Sequence, residues 1–179
     1  MGKTVFIHGK KFRKNISSAK IQNAVKNIAV KIDHDFKNEI PIFISVLNGS
    51  FMFASDLLKK IKIECEISFI KVSSYSGERS KGKVNKLIGL NGKLKGRMVI
   101  VLEDIVDSET TLEAIIAELK KLNPKRIKIA ALFFKPDAYK KKIRLDYIGM
   151  NVPNDFIVGY GLDYEGLGRN LSDIYILKT

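Results

Sequence analysis

The sequence has no tryptophan, one cysteine, two histidines and four prolines in 179 residues. Each shortage excludes something. A lone Cys65 cannot close an internal disulfide or belong to a Cys-rich zinc site, and it suits a reducing compartment, read here as the cytoplasm. His8 and His34 lie far from any Ser or Cys with a nucleophile's surroundings, which argues against a hydrolase triad. Four Pro and 13 Gly exclude collagen-like or low-complexity character. No apolar run approaches the roughly 18 residues of a membrane span, so no membrane partner is expected. The segment from Met1 to Phe6 lacks the apolar core of a signal peptide. Acidic residues are also scarce: 19 Asp and Glu stand against 32 Lys and Arg, a net charge of +13. That balance favours anionic partners, whether nucleic acid, phosphorylated metabolites or an acidic surface. The basic residues are dispersed, as in Lys120-Lys121 and Lys140-Lys141-Lys142, so solvated faces account for many of them equally well.

What is present reads as one α/β domain over 1–179, with 45% apolar residues and no linker or internal repeat. A short strand is predicted at 5–8. A helix follows from Ser17 or Ser18, with Ile21, Ala24, Val25, Ile28, Ile32 and Phe36 on one stripe. Apolar runs predict strands at 40–47, 65–72, 98–102 and 127–134, with Ile67, Phe69 and Lys71 on one side of the second. Shorter strands fit 86–90, 146–150, 156–159 and 174–177, and helices fit 51–61 and 111–122. Residues 73–86 are polar, small and basic, and read as a flap. Asn91-Gly92 reads as a hairpin turn. Strands apolar on both faces and alternating with helices imply a mainly parallel sheet flanked by helices. Ligands then bind beyond the carboxyl ends of strands, which singles out the loops after Leu47, Leu102, Phe134 and Val158.

The most informative stretch runs from Val99 to Leu112. An apolar strand delivers adjacent carboxylates, Glu103 and Asp104, and Asp107 follows before a hydroxyl-rich turn opens a helix. Unpaired N–H groups at a helix start suit a phosphate, and carboxylates beside it could orient sugar hydroxyls directly or through Mg²⁺. Thr110 and Glu113 alone need no ligand, since they form a capping box. Like charges clustered at the end of an apolar strand have no such ordinary explanation.

Glu103-Asp104-Ile105-Val106-Asp107-Ser108 resembles the phosphoribosyl-diphosphate (PRPP) motif of type I phosphoribosyltransferases. Further segments are similar to those of the hypoxanthine-guanine members, in the same order. They are Val46 to Phe53, Ser74-Tyr75, Phe134-Lys135-Pro136, Val152 to Tyr164, and Arg169. The resemblance implies that family's fold, a parallel sheet with a small hood formed by terminal segments. It also implies transfer of a phosphoribosyl group from PRPP to a 6-oxopurine with Mg²⁺, in a homo-oligomer of two or four chains. By match, Glu103 and Asp104 hold the ribose hydroxyls, Asp104 partly through Mg²⁺. Asp107 is the proton acceptor or hydrogen-bond partner at the purine, and Ser108, Glu109, Thr110 and Thr111 form the 5′-phosphate loop. Leu47, Asn48 and Gly49 offer backbone N–H groups to pyrophosphate, with a cis Leu47–Asn48 bond common in relatives, and Arg169 pairs with its oxygens. Lys135 bonds the 6-oxo group, Phe156 stacks on the base, Ile157 reads its edge and Asp163 ligates the metal. Ser74 and Tyr75 close over the reacting centre.

Two positions depart from the pattern. Asn48 stands where many relatives carry Lys or Arg, and Glu109 where the motif has Gly. If position 109 needs a left-handed backbone, Glu costs about 1–2 kcal/mol there, and its charge opposes a phosphate. Glu109 thus predicts weakened PRPP binding or an altered loop geometry. It also keeps open a catalytically impaired purine or PRPP sensor, while the positive charge keeps open an RNA-binding regulator on the same fold. The dispersed charge lacks the aromatic interleaving of single-strand readers, so nucleic acid is not the expected partner. Gly159-Tyr160-Gly161 is only a fragment of a dinucleotide fingerprint.

Overall fold

Apolar runs that cannot turn a polar side to water need cover on both faces, and here they become the inner strands of a parallel sheet. The computed structural model describes residues 3–72, 87–88, 94–107, 110–140 and 143–178, with the backbone alone at 72, 87–88 and 110–111. The chain starts with β1 (Thr4–Ile7), β2 (Lys10–Ile16) and α1 (Ser18–Asp35), then β3 (Ile42–Leu47), α2 (Phe51–Leu58) and β4 (Glu66–Val72). Next come β5 (Leu87–Ile88), β6 (Met98–Val106), α3 (Thr110–Lys121) and β7 (Arg126–Phe134). It ends with β8 (Tyr147–Asn151), β9 (Ile157–Val158) and β10 (Ile174–Leu177). The main sheet has the order β5-β4-β3-β6-β7-β8, parallel throughout except for β5 at its edge.

Alternation along the central strand divides the core. Ile100 and Leu102 of β6 pack with Ile21, Val25 and Ile28 of α1 and with Phe53 and Leu57 of α2. Val99 and Val101 face the other way, onto Leu112, Ile115 and Leu119 of α3. The hood is a separate antiparallel sheet, β1-β2-β10-β9, built from both ends of the chain. Asp173 ties it to the helical layer: its carboxylate accepts from the Ser18 N–H at 2.7 Å and pairs with Lys14 Nζ at 2.8 Å.

The fold departs from these expectations in three places. β2 is a strand that Lys10-Lys11-Phe12-Arg13-Lys14 does not announce, because the stretch shows only one apolar residue; Phe12 alone is fully buried and carries the strand. On β4 Ile67 and Phe69 do share a side, which is exposed (37% and 43%), while Ile70 on the other is buried. The strand predicted to stop at Leu102 runs on to Val106, so Glu103 and Asp104 lie within it. The loop after Val158 belongs to the hood and not to the main sheet. The flap at 73–86 and the Asn91-Gly92 turn fall outside the described residues.

Candidate active site

Two carboxylates in the second half of a buried strand set the electrostatics. Glu103 is 8% exposed, and among the described residues no cation pairs with it or with Asp104. Burial, reinforced by the neighbouring Asp104 charge, pushes the Glu103 carboxyl well above the usual range. Burial also pushes Asp104 up to about 6, with Asp107 adding to the rise. The Ile105 N–H, 3.0 Å from Asp104 Oδ1, and the Arg169 charge pull the other way without cancelling it. Both groups therefore favour a hydroxyl donor or a cation arriving from outside.

Asp104 is held against the turn that follows β3. A Cβ on Gly49 would stand 1.6 Å from Asp104 Oδ2, so only glycine fits beside that carboxylate. The turn itself is anchored from below. Buried Ser50 donates its hydroxyl to the Val46 carbonyl at 2.6 Å and shares a 2.6 Å hydrogen bond with Ser45. The Leu47–Asn48 peptide bond is cis. On the other side, a Cβ on Gly161 would meet the Gly49 carbonyl oxygen at 2.0 Å. Strand β6, the 47–50 turn and the 159–161 turn thus meet with no space for a methyl group between them.

That last turn was undervalued as a sequence fragment. Gly159-Tyr160-Gly161 carries three consecutive positive φ angles of 108°, 47° and 98°, which glycines make accessible. Farther along, Arg169 donates to the Gly161 carbonyl at 2.6 Å and pairs with Asp163 at 2.6 Å. Asp163 also accepts from the Gly166 N–H at 2.7 Å. Asp163 and Arg169, expected to have separate partners, bind each other.

Phe156 precedes β9 and is 46% exposed, so it is not a core residue. Its ring stands edge-on to Tyr164 at 5.6 Å between centroids and tilted to Phe12 at 6.4 Å. Ile157 beside it is buried and paired with Ile176. Lys135 directly follows β7 and is buried, with its N–H on the Val106 carbonyl at 3.0 Å. Asp107 directly follows β6 and is partly exposed. Thr110 and Thr111 open α3. Ser74, Tyr75, Ser108 and Glu109 lie outside the described residues. Sequence reasoning missed Tyr160, Asp56, Gln22 and Tyr164; an interior tyrosine between two glycines was the available signal for the first.

No three His, Cys, Asp or Glu side chains converge as a metal cage among the described residues. A cation such as Mg²⁺ that takes one or two carboxylates and completes its shell with substrate phosphates still suits this donor set.

A phosphoribosyl transferase domain model matches residues 14–165. The chain is 38% identical over 165 residues to a hypoxanthine-guanine phosphoribosyltransferase of Staphylococcus epidermidis, with 92% of each chain covered. It is 38% identical over 164 residues to the bifunctional protein TilS/HprT of Listeria monocytogenes, spanning only 25% of that longer protein's length. A crystal structure of a hypoxanthine-guanine phosphoribosyltransferase from Bacillus anthracis superposes with a TM-score of 0.85 at 39% identity, covering 92% of this chain and 98% of that one. The chain belongs to the phosphoribosyltransferase family, among its hypoxanthine-guanine members.

Proposed function

We propose that the protein is a purine-salvage transferase that moves the 5-phosphoribosyl group of PRPP onto hypoxanthine or guanine, forming IMP or GMP and releasing pyrophosphate. The bond from the anomeric carbon to diphosphate breaks, a carbon–nitrogen bond to the purine forms, and the purine gives up a proton. The observation that carries this reading is the contact of Asp104 with Gly49 and of Gly49 with Gly161. It sets acidic strand, pyrophosphate turn and hood turn around one point, as a transfer between sugar, leaving group and base requires.

Each assignment follows from chemistry. Glu103 and Asp104, with which no cation pairs among the described residues, accept hydrogen bonds from the ribose hydroxyls. Asp107, at the end of the same strand, takes the purine proton. Lys135 donates to the 6-oxo group and Phe156 stacks on the heterocycle, while the Ile157 backbone reads its edge. The N–H groups at the start of α3, with Ser108, Glu109, Thr110 and Thr111, form the 5′-phosphate cradle. Leu47, Asn48 and Gly49 offer backbone donors to pyrophosphate, and Arg169 supplies a planar cation. Ser74 and Tyr75 cover the reacting centre against water. Mg²⁺ would neutralise diphosphate charge, with Asp104, Glu103 and Asp163 as the carboxylates that would hold it. For Asp163, this means sharing a group that Arg169 already engages. Glu109, where relatives have Gly, weakens PRPP binding, and Glu109→Gly lowers KM for PRPP. The exposed Ile67 and Phe69 fit a subunit contact in a dimer or tetramer. The cytoplasm is the setting that fits. No helix in the described residues is long and apolar enough to cross a membrane.

One assay tests this: hypoxanthine, guanine and xanthine, each with PRPP and Mg²⁺, followed by nucleotide formation. Turnover with an oxopurine that disappears in Asp107→Asn is the expected result. Salt-sensitive RNA binding without any turnover would transfer the reading to a regulator.

A further inference from the structure

Tyr160 is bulky, 2% exposed, and sits at φ 47°, a backbone conformation that glycine would adopt at less cost. Its side chain is therefore the reason for its presence. The hydroxyl donates to Asp56 Oδ2 at 2.6 Å, and Gln22 of α1 donates to the same oxygen at 2.5 Å. Lys59 pairs with the other carboxylate oxygen at 3.1 Å. Asp56 lies in α2, the helix that the 47–50 turn enters directly. The 159–161 turn is thus joined to one structural unit twice. In front, Gly161 presses on the Gly49 carbonyl; behind, Tyr160 is bonded to the helix that follows Gly49.

We propose that Tyr160, held by Asp56 and Gln22, is a positioning residue that sets the spacing between the pyrophosphate turn at 47–50 and the hood turn at 159–161. The inference rests on the site proposed above. Its force comes from a matched pair elsewhere in the molecule. Tyr147 is also buried, and its hydroxyl donates to Asp35 Oδ2 at 2.7 Å. That bond links the end of α1 to the start of β8, away from every residue assigned to the site. The two tyrosines make the same bond, and only one of them joins two site turns.

The experiment compares Tyr160→Phe, Tyr147→Phe and Gly49→Ala with the unaltered protein, measuring Tm and steady-state constants for PRPP and hypoxanthine. Each tyrosine variant loses one buried hydrogen bond, so each is expected to lower Tm by about 2–4 °C. Tyr160→Phe alone is expected to raise KM for PRPP about tenfold, with kcat changed by less than about twofold, the signature of lost binding and intact chemistry. Asp56→Asn keeps a carbonyl oxygen for the tyrosine and stays within about threefold of the unaltered KM. Gln22→Leu removes the second donor and gives a rise of about threefold, so the outcome does not depend on one variant. An unchanged KM in both Tyr160→Phe and Gln22→Leu, or an equal rise in Tyr147→Phe, overturns the inference. Gly49→Ala separates the levels. If it also leaves KM for PRPP untouched, the site reading fails; if it raises KM while Tyr160→Phe does not, only the positioning role fails.

Discussion

At Gly49 a single hydrogen atom decides whether the site can exist. A methyl group there would stand 1.6 Å from Asp104 Oδ2, so Gly49→Ala must displace either the carboxylate or the turn. A shift of that kind is expected to lower kcat/KM for PRPP by about 10- to 100-fold. Circular dichroism should remain that of a folded chain, and a variant with unimpaired kinetics would remove Asp104 from the ribose site. Asp104 also carries a pH signature in the substrate- and metal-free protein. Its carboxyl is raised from 3.8 to about 6, so the folded state binds that proton more tightly than the unfolded chain does. The resulting stabilisation is complete below about pH 4 and is lost as pH climbs through about 6, a change on the order of 3 kcal/mol. Glu103 is raised for the same reason and acts in the same direction. The Tm of the unaltered protein minus that of Asp104→Asn should therefore fall between about pH 4 and 6.5 and then level off. A difference that grows with pH would show that Asp104 ionises in a stabilised environment instead.

Elements are where sequence and structure agree most closely, and their disagreements have physical causes. The stripe of Ile21, Val25, Ile28 and Ile32 specified α1 because a helix presents those positions to one neighbour. Strands β3, β6 and β7 were legible because a run buried on both faces has no other use for so many apolar side chains. β2 was not, since a strand in a two-layer hood needs only Phe12 and Ile16 inside and can leave its lysines in water. Which side of β4 is buried was not legible, because alternation names two faces without saying which one a helix will cover. Within the site, Glu103, Asp104 and Lys135 stood out as charges attached to apolar strands. Asp56 and Gln22 did not, because a polar residue on a helix reads as solvent-facing until its partner's position is known. Asp173 belongs with them. It joins hood to helix through Lys14 and the Ser18 N–H, which together hold its carboxyl below the usual range. Its contribution is present above the ordinary carboxylate value and is lost as pH falls through the depressed one. Asp173→Ala strands a cation and a helix-start donor, and is expected to cost about 2–4 kcal/mol in urea unfolding at pH 7. A cost near zero would mean the hood is held by its apolar contacts alone.

For the molecule as a whole, the topology brings together three stretches, around Gly49, Asp104 and Gly161, spread over more than 100 residues of a strongly basic chain. Several lysines have local reasons to exist. Lys121 pairs with Glu118 and Lys125 with Glu39, each at 2.5 Å, and Lys120 and Lys121 complement the carboxyl end of α3. Such pairs neutralise themselves and leave the excess of +13 to the remaining surface. Under the proposed activity one substrate, PRPP, carries a phosphate and a diphosphate, while the other, hypoxanthine, is uncharged. A diffuse positive field attracts the first and ignores the second, and salt shortens its reach to about 8 Å at physiological ionic strength. Raising KCl from about 50 to 500 mM should therefore increase KM for PRPP severalfold and leave KM for hypoxanthine nearly unchanged. The comparison is internal, because both constants come from one enzyme in one buffer. A general disturbance of the protein by salt would move them together. If neither moves, the surplus lysines are a solvated surface, and capture of PRPP depends on the short-range donors of the site alone.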